Sequence, residues 1–459
     1  MQLINLRVLR NNVILQANEI FVKYPKISAF ILGLCLKNSF SEKEQFIWVW
    51  ICIQTLLHIL KLTNGKRAFV IGFCFGYGYF LSTLYWIAEA FKCVGMGDLG
   101  YPAVLLLVAY LSIYPALTCY LSYKMKHETL KRLSFPVLWT IFEIIRGYLF
   151  TGFPWNLIGY ISYKIPYFAQ IADLVSIYGV TFLLLLILVL LTKKTYKYSV
   201  ILLCAIMSYG YFRELQYNKK PELPNITLVQ PSISQQSKSD PMKFWDNLDL
   251  QIAMSQFGSN KTRLIVWSET AIGTSLNPYI LKYISSHLGK NEILVTGIDR
   301  EEQSKIYNSV IAVDSTGQIV HCYDKRHLVP FGEYIPDFLL KLDLNKLTAG
   351  MINFSAGIVS KTFTLQNISA FDVNICYEII MPKKVLDNKK SKWILTVSND
   401  AWFGNSDGPY QHMKTACFRA IEERKPVVRC ANNGISCIVN SAGKIVKKLA
   451  LNSIGTINF

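Results

Sequence analysis

Apolar positions change their rhythm once along this chain, near residue 212. Before it they come in long runs, roughly 27–41, 45–61, 68–91, 101–123, 134–150, 168–191 and 198–212. About 20 apolar residues cross a bilayer as a helix, so these runs predict seven spanning helices. After it, short apolar runs alternate with amphipathic stretches. Strands are predicted at 225–230, 263–267, 292–298, 307–313, 318–323, 371–376, 392–398, 427–431 and 435–440, and helices at 242–257, 277–289 and 409–424. Asp314–Gly317 and Asn440–Gly443 read as hairpin turns, and Pro221 and Pro224 mark a linker at 213–224. The expected organisation is a polytopic α-helical domain over 1–212 and one α/β domain over 225–459.

Composition agrees with the membrane reading. The chain is 52% hydrophobic with mean hydropathy +0.28, too apolar for an ordinary soluble protein. Net charge is +18, with 19 Lys/Arg against 8 Asp/Glu up to Phe212 and 29 against 22 beyond it. No dense basic block is interleaved with stacking aromatics, so the charge reads as membrane-surface charge and no nucleic-acid partner is expected. The loops are sharply asymmetric: 14 Lys/Arg fall on the N-terminal side and only Lys37, Lys43, Lys92 and Lys164 on the other. By the positive-inside rule the N-terminus is cytoplasmic, and seven crossings deliver everything after Phe212 to the outer face. Residues 1–26 lack a long apolar core and a small-residue cleavage site, so no cleaved signal peptide is expected.

Some polar residues resist this background. Glu89, Glu143, Arg146 and Asp173 fall within or at the ends of spans, where charge is costly. Glu143 and Arg146 are three apart and placed to pair on one helix face. The aromatics of Thr151-Gly152-Phe153-Pro154-Trp155 read either as headgroup anchors or as the lining of a lipid path. Of eleven cysteines, five lie in the second half, an odd number that leaves at least one thiol unpaired. No CxxC pair and no Cys/His cluster at zinc spacing occurs, so neither metal nor cofactor is expected.

Three stretches of the α/β domain end an apolar strand in chemistry-bearing residues. Leu264–Trp267 leads to Ser268-Glu269, a carboxylate positioned for partial desolvation and general-base work. Tyr323–Tyr334 is dense in ionisable groups, among them Lys325, His327 and Glu333, yet contains Pro330, Phe331 and Gly332. Phe371–Ile375 runs into Cys376-Tyr377-Glu378. A carboxylate to take a thiol proton, a lysine to hold an oxyanion and a cysteine to attack make a complete acyl-transfer set. The plainer readings are a surface Glu269, a surface Lys325 and a core-filling Cys376. His327 and His412 are alternative bases for a Cys-His pair.

Trp267-Ser268-Glu269, Asp324-Lys325-Arg326-His327-Leu328-Val329-Pro330-Phe331-Gly332-Glu333, Ile375-Cys376-Tyr377-Glu378 and Ser398-Asn399-Asp400-Ala401-Trp402-Phe403-Gly404 follow one another in the order seen in the nitrilase (carbon–nitrogen hydrolase) superfamily. Joined to a multi-span N-terminal half, with Arg146-Gly147, Thr151–Trp155 and Asn432-Asn433-Gly434-Ile435, the chain closely resembles the bacterial apolipoprotein N-acyltransferase family. The resemblance implies an αββα nitrilase-like domain on the periplasmic face of the inner membrane. It implies Glu269 as base, Lys325 as oxyanion partner and Cys376 as nucleophile. Glu333, Tyr377 and Glu378 are then supporting residues, and Trp402 and Phe403 flank the path by which substrate enters. It also implies that no histidine is catalytic.

The implied reaction is a two-step exchange. Cys376 takes an acyl chain from a membrane phospholipid as a thioester, and the α-amine of a lipoprotein's diacylglyceryl-cysteine then takes it as an amide. A monomer is expected. Two departures stand out. Gln235–Asp240 carries Ser239 where the family has a tryptophan, with Trp245 out of register. The resemblance also implies one more transmembrane helix after the catalytic domain, whereas the sequence stops at Phe459 after a strand-like hairpin, so either the sequence is truncated there or this member lacks that anchor. Two other readings stay open at this point: a membrane-anchored nitrilase-type amidase that transfers to water, and a non-catalytic binding protein of the same fold.

Overall fold

The computed structural model describes residues 16, 18–40, 45–63, 67–272, 277–336 and 353–459. The N-terminal arm with Arg7 and Arg10, and the loop residues Lys43 and Lys66, lie outside them. Helices occupy all seven predicted apolar segments: Pro25–Leu36, Ile47–Leu62, Ala68–Leu84 continued as Ile87–Cys93, Gly97–Lys124, Glu128–Tyr148, Ala172–Leu190 and Tyr196–Tyr217. Among the described residues three of these, Gly97–Lys124, Glu128–Thr151 and Ala172–Leu190, are long and apolar enough to cross a membrane, or four if the bent pair Ala68–Leu84 and Ile87–Cys93 is one span. Pro25–Leu36 and Ile47–Leu62 are short, with 12 and 16 residues. Tyr196–Tyr217 has the length but carries Lys197, Arg213, Glu214 and five tyrosines.

The chain divides into two compact units. One holds the described residues up to Tyr85 with Tyr101–Ile165 and Ile177–Ser208; the other holds Trp86–Gly100, Pro166–Ser176 and Tyr209–Phe459. In the first unit, Gly33 and Gly78 let two helix backbones meet: a Cβ on Gly33 would lie 2.1 Å from the Phe75 carbonyl, and one on Gly78 would lie 2.2 Å from that of Phe30. The expected Glu143–Arg146 pair does not form. Glu143 accepts from Trp139 Nε1 (3.0 Å), Ile158 N (2.9 Å) and Thr181 Oγ1 (2.8 Å). Arg146 Nη1 donates to the carbonyls of Phe153 (2.8 Å) and Trp155 (2.9 Å). The irregular stretch between these helices leaves backbone groups without helical partners, and the two charged side chains satisfy them.

In the second unit the predicted linker starts later than expected, because the last long helix runs on to Tyr217. Its end is held by Asp173, which accepts from Arg213 Nη2 (2.6 Å), Arg424 Nε (2.9 Å) and Tyr209 OH (2.9 Å). Asp173 is therefore a clamp between Pro166–Ser176, the Tyr196–Tyr217 helix end and the end of Gly408–Glu423. Removing one partner of a buried ion pair strands the others, so Asp173→Ala should destabilise the protein by about 3 kcal/mol, read as an earlier melt in detergent. Glu89, the other flagged carboxylate here, pairs with Lys92 (2.7 Å).

Two six-stranded sheets build the rest. The strands are β1 (Ile226–Gln230), β2 (Arg263–Val266), β3 (Glu292–Glu302), β4 (Lys305–Val313), β5 (Ile319–Asp324), β6 (Thr362–Phe363), β7 (Phe371–Ile375), β8 (Trp393–Ser398), β9 (Val427–Ala431), β10 (Cys437–Val439), β11 (Ile445–Lys448) and β12 (Gly455–Asn458). Their orders are β12-β1-β2-β3-β4-β5 and β11-β10-β9-β8-β7-β6. In both, the central trio β1-β2-β3 or β7-β8-β9 is parallel and the flanking pairs are antiparallel.

Alternation assigns the faces. Ile226, Leu228, Leu264 and Val266 point into a core shared with Val373, Ile375, Leu395, Val397 and Val428 of the other sheet. Val229, Ile265 and Trp267 point away, onto Leu248, Ile252, Ile280 and Ile284 of the helices Phe244–Ser255 and Pro278–Ser285. Gly408–Glu423 packs on β9 of the second sheet. The result is the expected four-layer αββα sandwich.

Candidate active site

The carboxyl ends of β2, β5, β7 and β8 converge. Trp267, buried and donating Nε1–H to Ser255 Oγ (2.8 Å), anchors the turn that presents Glu269. Lys238 Nζ pins that turn through the carbonyls of Glu269 (3.1 Å) and Thr270 (3.2 Å). The antiparallel β4–β5 register sets Ser309 opposite Asp324, so Lys325 comes abreast of Asn308, whose carbonyl accepts from Lys325 N (2.8 Å).

β7 ends at Ile375, and Cys376 follows at φ +48°, a left-handed conformation that a side chain adopts only under constraint. Glu378 supplies much of the constraint. Its Oε2 accepts from Ile375 N (2.8 Å), and its Oε1 accepts from Tyr323 OH (2.7 Å), Arg326 N (2.9 Å) and His327 N (3.2 Å). One carboxylate thus ties the Cys376 turn to the segment that carries Lys325. The Tyr377 ring stacks on His327, 5.7 Å between centroids and 12° between planes.

Lys325, Glu269 and Glu333 are all buried. Lys325 Nζ lies 2.8 Å from Glu333 Oε1 and 3.3 Å from Glu269 Oε1. Asn308 Nδ2 bridges the two carboxylates, donating to Glu269 Oε1 (2.8 Å) and Glu333 Oε1 (2.9 Å). The remaining oxygens accept backbone N–H groups, Glu269 Oε2 from Asn399 (2.8 Å) and Glu333 Oε2 from Val329 (2.8 Å). Burial alone would push the Lys325 ammonium down, but Glu333 and then Glu269 overturn this and hold it above the ordinary lysine value. Burial pushes the Cys376 thiol well up, Glu269 adds to that, and Lys325 opposes it without winning. The resting thiol is therefore protonated, and a nucleophile at this position needs a base at the moment of attack.

Behind Cys376 lies a second buried cluster. Ser398 Oγ is 3.5 Å from Cys376 Sγ and donates to Asp400 Oδ1 (2.6 Å). Arg429 Nη2 donates to Asp400 Oδ2 (2.6 Å). Burial alone would raise Asp400; the Arg429 guanidinium, helped by the Ser398 hydroxyl, holds it far below the usual carboxylate range. Gly434 is required here, since a Cβ would sit 2.2 Å from Asp400 Oδ2. His412 is lowered by burial and by Arg429, so its ring is neutral at neutral pH. Its Nε2 faces the Cys376 carbonyl (3.1 Å), an acceptor only, so that nitrogen carries the hydrogen. Of the two alternative histidines, then, His412 grips the Cys376 carbonyl and His327 stacks on Tyr377.

The Asp400–Phe403 turn is half-buried at Trp402 and Phe403. The Phe403 ring packs against Trp86 (4.7 Å) and His412 (5.7 Å). Ser239 Oγ donates to the Gln235 carbonyl (3.0 Å), and Trp245 sits 42% exposed against Tyr279 and Tyr283.

With this geometry in hand, comparison with known proteins is decisive. Residues 32–190 match the apolipoprotein N-acyltransferase N-terminal domain, and residues 225–458 match the carbon-nitrogen hydrolase domain. An apolipoprotein N-acyltransferase of Rickettsia prowazekii is 36% identical over 453 residues, covering 93% of this chain and 88% of the relative. Those of Rickettsia typhi and Allorhizobium ampelinum are each 34% identical, over 94% and 86% of this chain and 91% and 79% of theirs. The chain belongs to the apolipoprotein N-acyltransferase family.

In this family member, several site residues escaped the sequence reading. Asn308 lies inside an apolar strand, and a buried amide there needs partners, which is the one signal it offers. Ser398 and Asp400 stand in the Ser398–Gly404 motif, where the residue types alone point to no particular task. Arg429 lies inside another apolar strand, and its charge demanded a buried counter-charge that spacing does not locate.

Proposed function

We propose that this family member moves an acyl chain from a membrane phospholipid, through a Cys376 thioester, to the α-amine of the diacylglyceryl-cysteine of apolipoproteins. Its activity is N-acyl transfer. It is a membrane protein, as its apolar helices and its family require. The observation that carries the site reading is the buried ammonium of Lys325, held between Glu333 and Glu269 and electrostatically coupled to the Cys376 thiol.

The steps follow from these positions. Lys325 is bound more closely to Glu333 than to Glu269, which leaves Glu269 the freer base. Glu269 takes the thiol proton as sulfur attacks the ester carbonyl. The Lys325 ammonium meets the oxyanion as it develops. The carbon–oxygen bond then breaks, and the lysophospholipid oxygen leaves with the proton from Glu269. In the second half the incoming amine attacks the thioester, gives a proton to Glu269, and sulfur departs and recovers a proton. Both substrates reside in the bilayer, so membrane anchoring supplies proximity. The loop charges support a seven-crossing arrangement over 1–212 with the catalytic domain on the periplasmic side of the inner membrane.

Membranes containing the protein and a phospholipid with a labelled acyl chain provide the test. A neutral-hydroxylamine-labile label should appear on the protein. A diacylated lipopeptide with a free α-amine should then discharge that label as an amide. Absence of protein-bound label sinks the covalent route, and discharge as free fatty acid would make the protein a hydrolase.

A further inference from the structure

We propose that Ser398 serves the same reaction directly, its hydroxyl acting as the hydrogen-bond donor to the Cys376 sulfur once the thiol has lost its proton. The inference rests on the reading of Cys376 as nucleophile. β7 and β8 are parallel neighbours with Ile375 opposite Val397, so the next residue of each strand, Cys376 and Ser398, emerges side by side. Ser398 is fully buried, and its Oγ has the sulfur at 3.5 Å and Asp400 Oδ1 at 2.6 Å.

A hydroxyl has one hydrogen to give and lone pairs to receive. With Cys376 a thiol, the hydrogen goes to Asp400 and the S–H can point at Ser398 Oγ. When Glu269 takes the thiol proton it becomes a neutral acid, and the sulfur is left an enclosed anion with the Asp400 carboxylate nearby. Lys325 is the cation on one side. On the other, Ser398 can turn its hydrogen from Asp400 to sulfur. Asp400 tolerates the loss because Arg429 still donates to it (2.6 Å). No proton is gained or lost by Ser398; it changes only the acceptor. The same cluster grips Cys376 twice, at its carbonyl through His412 and at its sulfur through Ser398.

The test is the pH dependence of Cys376 alkylation by iodoacetamide in the full-length protein in detergent. It is followed on the Cys376 peptide by mass spectrometry, because the chain holds eleven free thiols. A hydrogen bond to a charged acceptor corresponds to about one pH unit at the weak end of its range, so Ser398→Ala should raise the midpoint by about that much. Below the midpoint the rate should fall about threefold, because the more basic thiolate recovers part of the loss through higher nucleophilicity. Ser398→Thr, which keeps the hydroxyl, should stay at the wild-type rate. An alanine variant that melts like wild type and alkylates as fast or faster overturns the proposal. If alanine lowers the melt, the near-isosteric pair Ser398→Thr and Ser398→Val carries the test: threonine should alkylate about threefold faster, and equal rates overturn it. No acyl donor is present, so this result stands apart from the nucleophile assignment, which instead fails if Cys376→Ser still forms the labile acyl-protein.

Discussion

Cys376→Ser is expected to abolish both the hydroxylamine-labile acyl-protein and lipopeptide acylation, with residual transfer below about one-thousandth of wild type. The substitution changes little else. The serine oxygen is smaller than sulfur, keeps Ser398 and the His412 bond to the residue-376 carbonyl, and sits in the same φ +48° turn. Melting should therefore stay close to wild type. What changes is the chemistry. An alcohol is far harder to ionise than a thiol, and this site is already hostile to an anion: burial and the nearby carboxylates raise even the thiol. An oxygen ester formed slowly would also be a poor donor to an amine. Acyl-protein or product at more than a few per cent of wild type in the serine variant would move the covalent step to another residue.

How far the sequence reaches is clearest in particular elements. Long apolar runs located the helices, with ends off by up to about six residues, because burial in that half demands continuous hydrophobicity. Strands β1, β2, β7, β8 and β9 came through because each is five or so buried residues bounded by polar turns. β6, with two residues, gave no period to read. β11 and β12 are edge strands; β11 is half-buried at best and β12 buries only Ile457, so they appeared merely as a strand-like hairpin. At the site, the residue types at 269, 325, 333, 376 and 378 were legible as chemistry. Their meeting was not, since it depends on strands distant in sequence ending at one edge. The Glu143–Arg146 spacing even pointed the wrong way: three residues apart on a helix favours pairing, but unsatisfied backbone groups beyond the helix end outbid it.

Lys325→Met should produce the other large effect, and on two quantities at once. Transfer should fall by about two to three orders of magnitude, the usual consequence of removing a donor aimed at a developing oxyanion. Stability should fall by about 3–5 kcal/mol, because Glu269 and Glu333 would face each other buried, with Asn308 alone between them. Lys325 is raised in the folded state, so its contribution is present at every pH below about 10.4 and is lost only as pH climbs through the higher folded value. Thermal melts of the wild type should accordingly show no loss from this pair across pH 6–9. Lys325→Arg should not restore transfer, because a guanidinium fork cannot replace a compact ammonium between two carboxylates 2.8 and 3.3 Å away. The double variant Lys325→Met with Glu333→Gln separates the two roles. It removes one charge of each sign, keeps side-chain volume and leaves an amide for Asn308 to meet, so most of the lost stability should return while transfer stays lost. If transfer returned with stability, Lys325 would be a fold-holding residue and the oxyanion partner would have to be sought elsewhere.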